Sequence, residues 1–382
     1  MEIKNLKKAS KRIIKAIKNK EKIIIYGDAD LDGACSVIIF EETIKNLGAK
    51  TPVIYFPDRE EEGYGLTETA LNYLEKEAPA LLITFDCGIG NFKEIKLAKK
   101  LGFEVMVVDH HETLDKLPAA SIIVDPKQKG DKYPFKEFAA TGVVYKLSQV
   151  ILKDKLTDSL KRNFLELTTL ATIADMMPEV NENAEIIEEG LLYLETSWRP
   201  GIKASLDSID DILDLRQKIS KIISLLNVRD VQDRFPASFR LLTAATSREA
   251  EKILEILFQK LLLRKERIKE IIAQVEEKIS QEKEFPIIFS GDPLWELILL
   301  GSVASIFSKE YKKPVFLFKK EEKESQGTVR LVKGLNGVKA MLSCRDLLIT
   351  FGGHPQACGF KLKNENLENF RNCLINYFSE KQ

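Results

Sequence analysis

Histidine is scarce in this sequence. Among 382 residues there are only three, His110, His111 and His354. Two are adjacent and follow Asp109, and the third ends the string Gly352-Gly353-His354. A histidine met alone is more often structural than a ligand, but so few, all beside Asp or Gly at loop positions, shift the reading toward function. Cysteine is sparse as well: Cys35, Cys87, Cys344, Cys358 and Cys373 show no paired spacing. That argues against a zinc ribbon and for a reducing compartment, so a cytoplasmic location is expected. No apolar run is long enough to span a bilayer, and the lysine-rich first twenty residues have no apolar signal core, so no membrane partner is expected. An excess of one charge is also lacking. The 58 Lys and Arg balance the 58 Asp and Glu, so a nucleic-acid site would have to be a local basic patch.

What is present is the composition of a globular chain, 44% apolar and 30% charged, long enough for two domains. Residues 5–19 read as an amphipathic basic helix whose lysines form a solvated face. A β-then-α rhythm follows. Strands are expected over 22–26, 53–56, 80–85, 105–108 and 121–124, and helices over 34–47, 66–76 and 92–101. Gly48 and Gly102 act as helix stops. Buried, Val/Ile-rich strands alternating with helices predict an α/β fold with a parallel sheet covered on both faces. Helices are expected over 138–151 and 163–176, and mostly helix over 185–247. Ile253, Leu254, Leu257, Leu261, Ile268, Ile271, Ile272 and Val275 recur at helical spacing and predict one long helix. After Pro286 the rhythm changes to a smaller α/β domain. The expected division is a first domain over 1–246, a connecting helix over 247–284 and a second domain over 285–382.

The chemistry concentrates in Gly27-Asp28-Ala29-Asp30-Leu31-Asp32-Gly33. Locally extended backbone would send the three carboxylates to one side. Three anions together repel, and burying them unpaired is costly. A pair of divalent cations would reconcile them, since hard cations take carboxylate oxygens; a solvated acidic loop or a helix cap is the plainer alternative. Placement favours the cations. Asp28, Asp30 and Asp32, then Asp86, then Asp109-His110-His111, each follow a predicted strand, and in parallel sheets ligands bind beyond the carboxyl ends of strands. Asp175, an acid in an apolar run just before Pro178, joins them as a candidate ligand. The string Phe351-Gly352-Gly353-His354-Pro355-Gln356-Ala357-Cys358-Gly359 could bring backbone N–H groups to an anion; a tight turn explains it equally well.

With these residues in hand, the chain resembles the DHH phosphoesterase superfamily, and within it the RecJ-like single-strand exonucleases. The matching strings stand in family order: GDADLDG at 27–33, FDCGI at 85–89, VDHHE at 108–112, ATIADMMP at 171–178, GTVR at 327–330 and GGHPQACG at 352–359. Two positions depart from relatives that carry histidine there, Tyr26 and Glu296. The resemblance implies a DHH domain joined by a long helix to a DHH-associated C-terminal domain. It implies two-metal phosphodiester hydrolysis with two divalent cations, Mn²⁺ or Mg²⁺. Asp28 and Asp30 would hold one ion, Asp32, His110 and Asp175 the other, with Asp86 bridging. His111 would face the substrate and Asp109 would orient the histidine pair. Arg330, Gly352, Gly353 and His354 would bind substrate. The partner implied is single-stranded nucleic acid, DNA favoured over RNA, hydrolysed 5′-to-3′ to mononucleotides, with replication or repair proteins as further partners. The same chemistry on short oligoribonucleotides or cyclic dinucleotides is the alternative; a non-catalytic replisome scaffold is disfavoured because every candidate acid is present.

Overall fold

The computed structural model describes residues 2–59, 61–113, 116–209, 212–281 and 285–379. The chain forms two compact units, divided between Gln259 and Lys260.

Unit 1 opens with α1 (Leu6–Lys18), β1 (Ile23–Gly27), α2 (Leu31–Lys45), β2 (Val53–Tyr55), α3 (Glu68–Leu74), β3 (Ala80–Phe85), α4 (Phe92–Lys100), β4 (Phe103–Val108) and β5 (Ile122–Val124). The five strands make one parallel sheet in the order β2-β1-β3-β4-β5. Short strands of this kind form because both faces are buried. Ile24, Tyr26, Leu82, Val105 and Val107 pack with Ala70, Leu71 and Leu74 of α3 and Ile95 and Ala98 of α4. The alternate side chains, Ile25, Ile83, Phe85 and Met106, are buried on the opposite face, where α2 lies against β1 and β3, and α5 (Ala140–Leu152) against β4. The order of strands reverses at β1/β3, and a crevice at such a switch point is where doubly wound sheets bind ligands. A helical layer completes the unit: α6 (Asp158–Ala174), α7 (Asn181–Glu195), α8 (Pro200–Asp207), α9 (Leu215–Leu226) and α10 (Ala237–Leu242). A two-stranded hairpin of β6 (Val231–Gln232) and β7 (Phe235–Pro236) precedes α10. That hairpin lies where the sequence predicts mostly helix. Its turn, Asp233-Arg234, has positive φ at both residues, as a two-residue hairpin of this type requires.

The predicted long helix is α11 (Ser247–Ser280), and it contributes to both units; residues 282–284 of the expected segment lie outside the described residues. In unit 2, Ile271 and Val275 of α11 enter a core with Trp295, Leu300, Val303 and Leu317. The remaining elements are β8 (Ile288–Asp292), α12 (Leu297–Tyr311), β9 (Val315–Lys320), β10 (Glu324–Arg330), α13 (Gly337–Ser343), β11 (Thr350–His354), β12 (Ala357–Lys363) and α14 (Leu367–Ser379). The sheet runs β11-β12-β10-β9-β8. Only β8/β9 are parallel, so it is a mixed sheet. Its second core joins Phe316, Val329 and Phe360 to Met341 of α13 and Phe370 and Leu374 of α14.

Two expectations are corrected here. The cysteines are not all unpaired: Cys344 and Cys373, 29 residues apart, form a disulfide. The packing of α13 near α14 brings their Cα atoms to 6.1 Å, a proximity that sequence spacing does not carry. Cys35, Cys87 and Cys358 are free and buried. The glycine string is strand rather than loop. Gly352 pairs with Gly359 and Gly353 with Cys358, and Pro355-Gln356 forms the turn of the β11/β12 hairpin. Among the described residues no helix is long and apolar enough to cross a membrane.

Candidate metal centre

The carboxyl ends of β1, β3 and β4 lie level, Gly27 opposite Phe85 and Phe85 opposite Val108, and the ladder continues one residue past each. The amides of Asp28, Asp86 and Asp109 donate to Phe85, Val108 and Val124 carbonyls at 3.2, 3.1 and 3.0 Å. Backbone hydrogen bonding thus fixes three acids on one edge before any side-chain interaction is considered.

The three acids of the first motif do not converge by simple strand alternation. Only Asp28 extends β1. Asp30 caps α2, its Oδ1 accepting from the Gly33 amide at 2.9 Å, and α2 begins at Leu31, three residues earlier than predicted. Asp32 therefore lies in the first helical turn. Gly33 is required here: a Cβ would fall 2.2 Å from the Asp28 carbonyl oxygen, so only glycine lets the helix close onto the acidic turn. Asp32 points across to α5, where it accepts from the amides of Ala140 at 2.7 Å and Thr141 at 2.8 Å. A carboxylate at a helix N-terminus is favoured by the unpaired N–H groups there.

Side chains from four separated stretches then meet. The His110 ring is buried, and its Nε2 lies 3.2 Å from Asp86 Oδ1, 3.6 Å from Asp175 Oδ2 and 3.8 Å from Asp32 Oδ2. Asp175 arrives as the C-cap of α6. Three overlapping groups have ligand atoms within 4.8 Å of one another: Asp28, Asp30 and Asp86; Asp32, His110 and Asp175; Asp86, His110 and His111. Asp86 and His110 each belong to two of them. Asp86 Oδ1, His110 Nε2 and Asp175 Oδ2 are buried without a hydrogen-bond partner. Buried polar atoms are rarely left so, and carboxylate oxygens with imidazole nitrogen form a donor set suited to a hard or borderline divalent ion. The residues present fit two such ions sharing Asp86.

The electrostatics agree. Burial, then repulsion from Asp30 and Asp32, pushes Asp86 well above the carboxylate range. Burial, then Asp32 and Asp30, pushes Asp175 up to about 7. Burial lowers His110, favouring the neutral ring that can ligate. Asp109 behaves differently. Burial opposes its charge, but the His111 hydrogen bond, His111's charge and the Ile89 amide outweigh that and hold it at about 2. Its Oδ1 accepts from His111 Nδ1 at 2.8 Å and from the His110 amide at 2.8 Å, and its Oδ2 from the Ile89 amide at 3.0 Å. The same hydrogen bond raises His111 to about 9. Asp109 is thus engaged through both oxygens and acts as the clamp that sets the histidine pair.

Two cations at the site escape a reading of motifs. Arg59 Nε reaches Asp28 Oδ1 and its Nη2 reaches Asp30 Oδ2, both at 2.8 Å, with the exposed Tyr64 ring 5.0 Å away. Lys127 follows β5. Both could have been found by carrying the carboxyl-edge rule to the residues after β2 and β5 as well as after the acidic strands.

Unit 2 holds the remaining candidates. Arg330 is half-buried, with Nη1 donating to Thr328 Oγ1 at 2.8 Å and the Val329 carbonyl at 2.9 Å. No carboxylate pairs with it among the described residues, and burial works against its charge. Gly301 makes room for it: a Cβ there would lie 2.9 Å from Nη2. Register places Arg330, Ala357 and His354 in one row across β10, β12 and β11. Gly352 and Gly353 lie on β11, the edge strand of the sheet, with no strand on its outer side among the described residues.

The chain resembles known proteins throughout. The family model for the DHH family, N-terminal domain, matches residues 22–172, and that for the DHHA1 domain matches 284–380. The single-stranded-DNA-specific exonuclease RecJ of Bacillus subtilis (strain 168) is 35% identical over 98% of this chain and 48% of its own length. The protein of the same description from Thermus thermophilus is 29% identical over 94% of this chain and 52% of its own. The chain thus spans about half the length of both relatives. A crystal structure of exonuclease RecJ bound to manganese superposes with a TM-score of 0.83 at 25% identity, covering 99% of this chain and 95% of that one.

Proposed function

The chain belongs to the DHH family, carrying its N-terminal domain and a DHHA1 domain, and from that premise we propose that it is a metal-dependent exonuclease of single-stranded nucleic acid, DNA foremost. The observation that carries the reading is the buried, unpartnered facing of Asp86 Oδ1 and His110 Nε2 at 3.2 Å, flanked by Asp32 and Asp175. The relatives at 35% and 29% identity are described as single-stranded-DNA-specific exonucleases, and a similar fold has been solved with manganese. Both support the same reading.

Asp28 and Asp30 would hold one Mn²⁺ or Mg²⁺ ion, Asp32, His110 and Asp175 the other, and Asp86 both. When bound, such ions polarise a phosphodiester and ease deprotonation of the attacking water. The protein's own groups do the rest. Arg59, paired with Asp28 and Asp30 here, is set to turn to a phosphate once those acids have ions to ligate. His111, protonated near neutrality and fixed by Asp109, offers a proton-bearing Nε2 to the departing oxygen. Arg330, charged and with no carboxylate partner among the described residues, offers a bidentate fork for a terminal phosphate. The outer backbone groups of Gly352 and Gly353, with His354 in the same row as Arg330, extend that phosphate site. Cleavage from the 5′ end with release of mononucleotides, and replication or repair proteins as partners, come from the motif resemblance rather than from this geometry.

The test is cleavage of 5′- and 3′-labelled single strands, DNA and RNA, with and without a 5′-phosphate, in Mn²⁺ or Mg²⁺. Mononucleotides released from the 5′ end of single-stranded DNA, with Asp86→Ala reducing the rate at least about 10³-fold, bear the proposal out. Cleavage confined to dinucleotides, or full activity in Asp86→Ala, refutes it.

A further inference from the structure

The acidic cluster has two halves, and each faces a cation. Arg59 serves Asp28 and Asp30. Lys127 lies beside the segment that follows His110 and His111. It sits in the turn after β5, where its amide donates to Asp125 Oδ1 at 2.7 Å and its carbonyl oxygen accepts from Thr113 Oγ1 at 3.4 Å. The turn is therefore strapped to the segment that follows His111. The Lys127 side chain is 14% exposed, yet its ammonium rests on two loosely held carboxylates. Glu112 Oε1, 3.2 Å away, belongs to a side chain that is 80% exposed, and Glu137 Oε2, 3.7 Å away, to one that is 47% exposed.

A desolvated ammonium beside solvent-mobile partners is poised for exchange. Its exposed carboxylate partners are readily solvated when released to water, whereas a phosphate oxygen in the same position forms a charge-assisted hydrogen bond. Glu112 directly follows His111, and Glu137 lies three residues before the α5 amides that hold Asp32. Both partners are thereby anchored to residues of the cluster, and so is the ammonium between them.

We propose that Lys127 is a substrate-binding residue that exchanges Glu112 and Glu137 for a backbone phosphate of the strand on the His110/Asp175 side of the centre. The proposal rests on the nuclease reading above. It is distinct from Arg330, which lies in the other unit, and from Arg59, which serves the other half of the acids.

The test uses the full chain with 5′-phosphorylated oligo-dT. Lys127→Met keeps the apolar stem and removes the charge; Lys127→Arg keeps a charge. Lys127→Met should lower kcat/KM about 10- to 100-fold at low salt. The slope of log kcat/KM against log salt should become shallower by about 0.7, the loss of one single-strand phosphate contact. The Mn²⁺ concentration for half-maximal activity should stay within about twofold, and Lys127→Arg should recover the wild-type salt slope. A Lys127→Met enzyme with the wild-type salt slope, whatever its rate, overturns the proposal and leaves Lys127 as a brace between Glu112 and Glu137. If the wild-type chain cleaves no strand at all, it is the nuclease reading that fails; an active wild type with an unchanged slope in the variant condemns Lys127 alone.

Discussion

Asp109 and His111 share one hydrogen bond, and its consequences for stability have opposite signs in pH. His111 is raised from 6.5 to about 9, so its contribution is full below 6.5 and is lost as pH rises through 9. Asp109 is held at about 2 against 3.8, so its contribution is present above 3.8 and is lost as pH falls through 2. The pair stabilises most between those unfolded values. In metal chelator, wild type should lose melting temperature from pH 6.5 to 9 more steeply than His111→Gln; equal slopes by scanning fluorimetry would refute the link. Asp175 has the sign of His111 and the opposite of Asp109. Raised to about 7, it favours the metal-free fold below 3.8 and stops doing so as pH rises through 7. Divalent ions need the deprotonated ligand. Mn²⁺ should therefore raise the melting temperature more at pH 8 than at pH 5, and Asp86→Asn should blunt that gain. Gly33→Ala, with its Cβ driven against the Asp28 carbonyl, should cost about 1–3 kcal/mol and weaken Mn²⁺ stabilisation with it. Denaturant titration in chelator and in Mn²⁺ separates the two effects.

At the scale of elements, the active edge is made by ends rather than by middles. Asp28, Asp86 and Asp109 prolong strands, Asp30 and Asp32 open α2, and Asp175 closes α6. Ends are where backbone groups are left unpaired, so polar side chains gather there for structural reasons and become available for chemistry. That is why the acids were legible from sequence: each follows an apolar run. The same logic was less exact at the glycine string, read as an anion-binding loop or a tight turn: Gly352-Gly353 are strand, and the turn falls at Pro355-Gln356. Cross-strand pairing to Gly359 and Cys358 is a long-range fact that local pattern does not contain. The disulfide is of that kind too. Closing 29 residues between α13 and α14 should contribute about 3–4 kcal/mol by restricting the unfolded chain. Cys373→Ser, or reductant, should lower the denaturation midpoint of unit 2 accordingly, and an unchanged midpoint would show that the bond contributes nothing.

At the scale of the whole molecule, every candidate ion ligand lies in unit 1, while Arg330, Gly352, Gly353 and His354 lie in unit 2. Ion binding and recognition of the strand's end are therefore expected to separate. A chain cut to residues 1–259 should still be stabilised by Mn²⁺ but lose preference for a 5′-phosphorylated strand. Retained preference, measured as the ratio of cleavage rates with and without the phosphate, would move end recognition into unit 1. The two units also divide the chemistry of their sheets: parallel strands carry the acids on one edge, and a mixed sheet carries the glycines on its edge strand.

The amino-acid sequence by itself determined the strand-and-helix rhythm of unit 1, the parallel sheet and the list of acids and histidines, because burial on both faces of a sheet imprints a local pattern and because ligands must follow strands. Tertiary structure decided what distance decides. It chose Asp32 to cap α5, Arg59 to pair with Asp28 and Asp30, Lys127 to meet Glu112 and Glu137, and Cys344 to meet Cys373. Those pairings join residues up to about a hundred positions apart. No local period encodes such partners; they exist only once packing has brought the chain back upon itself.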